Sequence, residues 1–412
     1  MRSIRRRVSA VAVATLAASG LLLGAVAPAA QADVEQPTAF GLHVPQIANG
    51  FDPTASYGSI RIWDVGVTWG KVQQSEKKFW WTGLDRAINN ARAQNLSVLY
   101  VLGSTPTWAA KNPKQGTYPN RGAASMPKDI KLWRNWVTAV VKRYKAQVDA
   151  WQIWNEANLS TFWQGTPEQM AQLTAEAAKI IRKYDPTAQI VSASTTVRLE
   201  AAFNKFEPKY LAALKKKGWP VTVYSVHSYP QSTGTPKTRA DYVNQFKATL
   251  AAAGAPAKPI WDTEVNYGLA GPGPSNPKQN IDGDQAASWV AQTYLDSARL
   301  GVDRTYWYSY TPTPYPLLGI QLVEGSAGAQ AYNRVYGWLA GADVSCSTGP
   351  INTCAINKNG QLATVVWASE GEGAYTVAAG ATTSVTAAGV STPVTAGQSV
   401  TIGTMPTWFG AS

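Results

Sequence analysis

Two glutamates in this 412-residue chain stand in contexts that suit acid–base chemistry. Glu156 closes the run VDAWQIWNE and Glu264 the run KPIWDTE. Two carboxyls, one holding a proton and one ionised, can cleave a glycosidic bond placed between them. The first protonates the leaving oxygen; the second attacks the anomeric carbon or activates water. A gap of about 5–5.5 Å between the carboxyls favours direct attack and retention, whereas roughly 6.5–9.5 Å admits a water and gives inversion. Around the glutamates the chain carries 17 Trp and 18 Tyr beside 8 Phe. Those are rings with a polar edge, suited to half-wet binding surfaces. A lone Glu at a strand end is more often a salt-bridged structural acid, so the argument for catalysis rests on the pair.

The two can converge only if their strands close into one sheet. Strand-like runs occur at 39–44, 59–65, 97–103, 148–156, 189–194, 221–229, 258–265 and 304–310. Helical periods lie between them, as in Leu84, Ile88 and Ala91, or Ile130, Trp133, Val137, Val140, Val141 and Tyr144. Thr166-Pro167-Glu168 reads as an N-cap with Pro at the first helical position. This alternation over residues 33–340 predicts an α/β fold, a (β/α)8 TIM barrel. A doubly wound sheet is disfavoured, because no Gly-rich phosphate loop follows the first strand. Chemistry in such a barrel sits at the C-terminal strand ends. Those ends carry His43, Arg61, Trp108, Asn155, Glu156, His227, Tyr229, Glu264 and Trp307. Period-two alternation puts Gln152, Trp154 and Glu156 on one face and Asn155 on the other. For both Asn155 and Glu156 to reach a ligand, the strand end must twist or bulge. Asp262 is expected to share a face with Glu264, in a supporting role. Trp63, Trp69, Trp108 and Trp163 follow strand ends as candidate sugar platforms, while Trp133, Trp136 and Trp338 lie in helical patterns and read as core.

IWNEAN (153–158) followed by WDTE (261–264) resembles the retaining glycoside hydrolases of clan A, built on (β/α)8 barrels. The likeness extends to Arg61, His227-x-Tyr229 and Trp307. STPTWA (104–109), RNWVTAVVKRY (134–144) and Phe162-Trp163 make the chain most similar to family 39 of that clan. The resemblance implies Glu156 as general acid/base and Glu264 as nucleophile, with Arg61 keeping Glu264 ionised and the Tyr229 hydroxyl donating to it. It implies that Asn155 meets the sugar 2-hydroxyl and that Trp307 floors the subsite of the cleaved sugar. The charge of Glu264 is expected to raise the pKa of Glu156. Ser104-Thr105-Pro106 stands where some clan members have a histidine, and His43 is expected to compensate.

Composition bounds the rest. With 45% hydrophobic and 15% charged residues the chain is not disordered, and two His and two Cys exclude a multi-ligand His/Cys zinc site. No metal or cofactor is implied. Residues 1–32 read as a secretory signal: a head with Arg2, Arg5, Arg6 and Arg7, an apolar run, and Ala30-Gln31-Ala32 as cleavage pattern. A secreted, extracellular protein without a membrane anchor is therefore expected. In that compartment Cys346 and Cys354 should form a small-loop disulfide. Residues 341–412, rich in Ala, Gly, Ser, Thr and Val in short alternating runs, predict a small C-terminal β-sandwich accessory domain. The formal charge is +12, and without the four arginines of the head it is +8. No Lys/Arg run suggests nucleic acid; an acidic polysaccharide stays open. The long loop 266–284 and the loop 311–319 after the last strand would shape a substrate groove, with endo action favoured. The reading is a monomeric hydrolase of a polysaccharide or oligosaccharide. Its alternatives are a non-catalytic carbohydrate-binding barrel and a transglycosylase using the same residues.

Overall fold

The computed structural model describes residues 33–271 and 273–411. The expected signal, residues 1–32, lies outside them. Eight parallel strands form the central sheet: β1 (Phe40–Leu42), β2 (Ser59–Ile62), β3 (Ser97–Leu102), β4 (Ala150–Ile153), β5 (Gln189–Val191), β6 (Tyr224–His227), β7 (Ile260–Val265) and β8 (Arg304–Trp307). Their order is 5-4-3-2-1-8-7-6. The remaining seam, β5 to β6, is bridged at Val191–Val223 and Thr196–His227, and the His227 N–H donates to the Thr195 carbonyl at 2.9 Å. The sheet thus closes into the expected barrel.

Seven helices follow β2 to β8 in turn: α1 (Thr82–Ala93), α2 (Ile130–Tyr144), α3 (Pro167–Tyr184), α4 (Glu200–Lys216), α5 (Pro236–Ala252), α6 (Gly283–Leu300) and α7 (Ala327–Leu339). After β1 the slot holds only a 3₁₀ turn, Ile47–Asn49, tied to α1 by Asn90 Nδ2 donating to the Ile47 carbonyl at 2.7 Å. The N-cap of α3 is the expected one. Thr166 and Gln169 form a reciprocal capping box with Pro167 at the first position. In α2 the apolar stripe from Leu132 to Tyr144 is buried against the sheet, because residues three and four apart share one helix face.

Inside the barrel, Leu99, Ala150, Val191, Val223, Trp261 and Tyr306 make a dry plug. Above it lies a polar layer. Gln152 Nε2 donates to Ser225 Oγ at 2.7 Å and to Thr263 Oγ1 at 3.2 Å. This layer is the floor on which the strand-end residues stand.

The C-terminal residues supply six strands of an antiparallel sheet, completed at its edge by Asp33–Val34 as the seventh, and a two-stranded ribbon, Gly373–Thr376 with Ser399–Ile402. Val366, Val377, Ala381, Ile402 and Phe409 cluster as a small apolar core. Cys346 and Cys354 face each other on paired strands as a disulfide. The other side of the large sheet packs on the barrel's helices: Cys354, Ile356, Val365 and Trp367 belong to the same apolar cluster as α6 and α7. Ser288 and Gln292 of α6 both donate to the Thr404 carbonyl, at 2.8 and 2.7 Å. Among the described residues no helix is long and apolar enough to cross a membrane.

Candidate active site

Beyond Ile153 the chain leaves the regular strand path. Trp154 takes φ +72° and Glu156 φ +40°, a left-handed region that costs a non-glycine residue about 1–3 kcal/mol unless its surroundings impose it. The surroundings do. Trp154 turns out of the barrel into the helix layer, its ring 5.0 Å from that of Trp163 and its indole N–H bonded to the Phe162 carbonyl. The Glu156 N–H donates to Ser194 Oγ at 3.0 Å. With alternation broken at Trp154, both Asn155 and Glu156 enter the mouth. This is the local twist that alternation required.

On the opposite side, β7 carries a bulge. Asp262 pairs with Val226 of β6, but the next pair is Glu264 with His227. Bulges re-aim side chains beside active sites. Asp262 points outward, where Arg239 of α5 holds it at 2.8 Å in a fully buried ion pair. Glu264 is turned inward. Asp262 and Glu264 therefore do not share a face, contrary to expectation, because one extra residue in the ladder inverts the parity.

The two carboxyls meet over the polar layer. One donor atom each from Glu156, His227 and Glu264 lie within 4.8 Å of one another. Arg61 is the hub: its Nη1 is 2.5 Å from Glu264 Oε1, its Nη2 donates to Asn155 Oδ1 at 2.8 Å, and its Nε donates to Gln152 Oε1 at 2.7 Å. Because Asn155 spends its oxygen on Arg61, its Nδ2 is the atom left for a sugar hydroxyl. The Tyr229 hydroxyl donates to Glu264 Oε2 at 3.0 Å. His43 Nε2 donates to the Thr263 carbonyl at 2.9 Å, which fixes its tautomer and braces the bulge.

Burial dominates the electrostatics. It raises Glu156 to about 7, against the opposing charges of Arg198 and Arg61. The expected cause was the charge of Glu264; the cause found is desolvation. Glu264 is also raised by burial, opposed by His227 and Arg61. Arg61, in contact with Glu264 and not with Glu156, favours ionised Glu264, while Glu156 can hold a proton near neutrality. His227 is lowered to about 4, burial outweighing the pull of Glu264. It is a neutral imidazole, with Nδ1 3.3 Å from Glu156 Oε1 and 3.5 Å from Glu264 Oε2. The Glu156, His227 and Glu264 atoms could also surround a cation, but the Arg61 charge on one of those ligands opposes it.

Trp307, expected to floor a subsite, falls elsewhere. Trp307 is 0% exposed and lies in the sheet–helix layer, its ring 6.0 Å from that of Tyr267. Tyr306 fills the plug, so alternation sends Trp307 outward and brings Tyr308 into the mouth. The Tyr308 ring stands edge-on to His43 at 4.9 Å. Trp163 is 3% exposed, packed on Trp154, and contributes to the wall of a groove shared with Ala157 and Asn158. Trp108 is half-buried, its indole N–H on the Gln73 carbonyl.

Asp64 and Tyr308 lie on the strand-end rim that the sequence predicts, though it assigns them no role. Asp64, past the end of β2, accepts from Tyr308 at 2.7 Å and from Tyr118 at 3.0 Å. Burial raises its pKa. Tyr118 reaches it from the long loop after β3, which no local pattern foretold. Tyr308 was signalled by the alternation of Tyr306, Tyr308 and Tyr310.

Comparison with known proteins agrees with this geometry. The model of the glycosyl hydrolases family 39 matches residues 25–311. A β-xylosidase of Geobacillus stearothermophilus is 24% identical over 249 residues, 55% of this chain and 47% of that one, so the chain spans about half the length of this relative. Among solved structures, a family 39 glycoside hydrolase from Bacteroides cellulosilyticus WH2 superposes with a TM-score of 0.69 at 16% identity, covering 92% of this chain and 81% of that one. A family 39 β-xylosidase from Caulobacter crescentus gives 0.66 at 17% identity, covering 93% and 98%. At those identities the structural likeness speaks for the fold.

Proposed function

The chain belongs to the glycosyl hydrolases family 39, and from that premise we propose that it is a retaining glycosidase that cleaves a polysaccharide by double displacement. The observation that carries the reading is the pair of carboxyls whose oxygens approach within 4.8 Å while sitting in different surroundings. That gap suits direct attack and leaves no room for a water beside the sugar.

In the first step a Glu264 oxygen attacks the anomeric carbon, and Glu156 gives its proton to the departing glycosidic oxygen. The product is a glycosyl ester on Glu264. Arg61 and Tyr229 hold the attacking carboxylate in place, and Asn155 Nδ2 meets the 2-hydroxyl, a bond that strengthens as positive charge builds on the ring. Esterification removes the charge of Glu264, which loosens the proton affinity of Glu156 and leaves a carboxylate. That carboxylate takes a proton from water, the water oxygen attacks the anomeric carbon, and Glu264 is released. A transglycosylase would differ only in letting a second sugar replace that water.

Endo action is supported by a groove of about 460 Å³ lined by Ala157 and Asn158, which directly follow Glu156 in the chain, and by Lys205, Phe206 and Lys209 of α4. Action outside the cell is supported by the signal-like residues 1–32 and by the Cys346–Cys354 disulfide, a bond that persists in oxidising compartments. A panel of polysaccharides, with the anomeric protons of fresh products followed by NMR, tests the function. The expected result is oligosaccharide products whose new reducing end first carries the substrate's configuration. Initial inversion, or turnover of no glycan, contradicts the reading.

A further inference from the structure

The groove beside Glu156 has a charge that the mechanism above does not use. Its walls come from two loops stitched together at Asn158, whose side chain donates to the Thr196 carbonyl at 2.9 Å and accepts from the Thr196 N–H at 3.0 Å. Phe206 gives it an apolar floor, and Lys205 and Lys209 stand along it on successive turns of α4. Both lysines are exposed. Among the described residues, neither forms an ion pair. The Glu168 carboxylate is held chiefly at the start of its own helix, by backbone and by Thr166, with Lys209 acting on it more weakly.

Arg198, half-buried, directly precedes Leu199 of the groove wall. Its guanidinium lies over the Tyr229 ring at 5.8 Å, and it is close enough to Glu156 to act on its charge. The Nη1 atom of Arg198 is buried without a hydrogen-bond partner. A buried cationic N–H with no acceptor costs more than an ordinary unmade hydrogen bond. An arginine so placed, in a site made for a ligand, points to a ligand that brings the acceptor. Arginine is also the side chain whose fork matches a carboxylate or sulfate best.

We infer that the enzyme takes an anionic glycan, with a carboxylate or sulfate on the leaving-group side of the scissile bond held by Arg198 and the next anionic group met by Lys205 and Lys209. The inference rests on the glycosidase reading, since Glu156 defines the leaving-group side. The excess of positive charge that remains after the N-terminal arginines, +8, points the same way, because it draws a polyanion from a distance.

Binding and turnover separate the inference from that reading. Titration calorimetry of Glu264→Gln protein against polygalacturonate, dextran sulfate and unmodified dextran reads the groove without turnover. The expected result is binding to polygalacturonate or dextran sulfate, weakened by salt, and at least tenfold weaker binding to dextran. Which polyanion binds tells carboxylate from sulfate. The double variant Lys205→Glu/Lys209→Glu, altered only at exposed positions, should bind the preferred polyanion about tenfold more weakly, as two exposed charge pairs would. Arg198→Gln should do so too and should raise KM for anionic substrate more than it lowers kcat. Equal binding of charged and neutral glycans, binding of none, or charge reversal without effect overturns the inference. If polyanions bind through the groove and wild-type protein turns over no glycan, the glycosidase reading fails instead.

Discussion

At the scale of single residues, the site separates two like groups by their neighbours. Glu264 touches Arg61 and Tyr229; Glu156 has the neutral His227 imidazole at 3.3 Å, burial and more distant charges. The consequence is a pH dependence with a defined sign. Glu156 must carry its proton in the first step, so kcat/KM should fall as pH rises through about 7. A pH profile on a substrate with a poor leaving group shows this limb, and the same profile for Glu156→Ala on an activated aryl glycoside should lack it. Glu264→Gln should reduce turnover by at least about 10³-fold, measured with the same aryl glycoside, because Glu264 is the carboxyl that Arg61 and Tyr229 hold for attack. The meeting of these two at facing strand ends was legible in the sequence, because WNE and WDTE are local patterns. The β8 ring that enters the mouth was not. Choosing between Trp307 and Tyr308 needs the inward or outward parity of β8, and that parity is set by Tyr306 in the plug.

At the scale of elements, the eight strands and the cap of α3 followed from periodicity and turn chemistry, which are short-range properties. The strand ends did not. The left-handed Trp154 and Glu156 and the bulge in β7 are unfavourable or neutral locally and exist because Trp163, Ser194 and His43 hold them. The helix layer has its own unforced feature. Glu207 of α4 is 2% exposed, its one hydrogen bond comes from Thr195 Oγ1 at 3.0 Å, and burial raises its pKa to about 8. The folded state holds this proton more tightly than the unfolded chain, so Glu207 favours folding at acid pH. That contribution is lost as pH rises from about 4.5 towards 8. Thermal melts between pH 5 and 9 should show the wild type losing Tm steadily. Glu207→Gln, which keeps the acceptor for Thr195 without the charge, should lose less. Parallel curves would contradict this account of α4.

At the scale of the whole molecule, the C-terminal sheet is more than an appendage. Its Cys354, Ile356, Val365 and Trp367 share the apolar cluster that covers α6 and α7, and Asp33–Val34 pairs with Val344 and Asp343 across its edge. The sequence showed a change in composition near Gly341 but could not show which face of the new sheet would meet the barrel, since that contact joins residues far apart in the chain. Ending the chain at residue 340 would uncover this apolar face and leave Ser288 and Gln292 without the Thr404 carbonyl. The shortened protein should aggregate or melt well below the full chain, whereas the full chain should unfold in urea as one transition by both fluorescence and circular dichroism. A shortened chain that melts with the full one would contradict the shared core.

The central claim is that Glu264 forms the ester and Glu156 moves the proton. It is tested most directly by supplying azide to Glu156→Ala turning over an activated aryl glycoside and reading the anomeric configuration of the glycosyl azide by NMR. The account predicts a rate restored by azide and a glycosyl azide with the configuration of the substrate. No restoration, or an azide of inverted configuration, would contradict it.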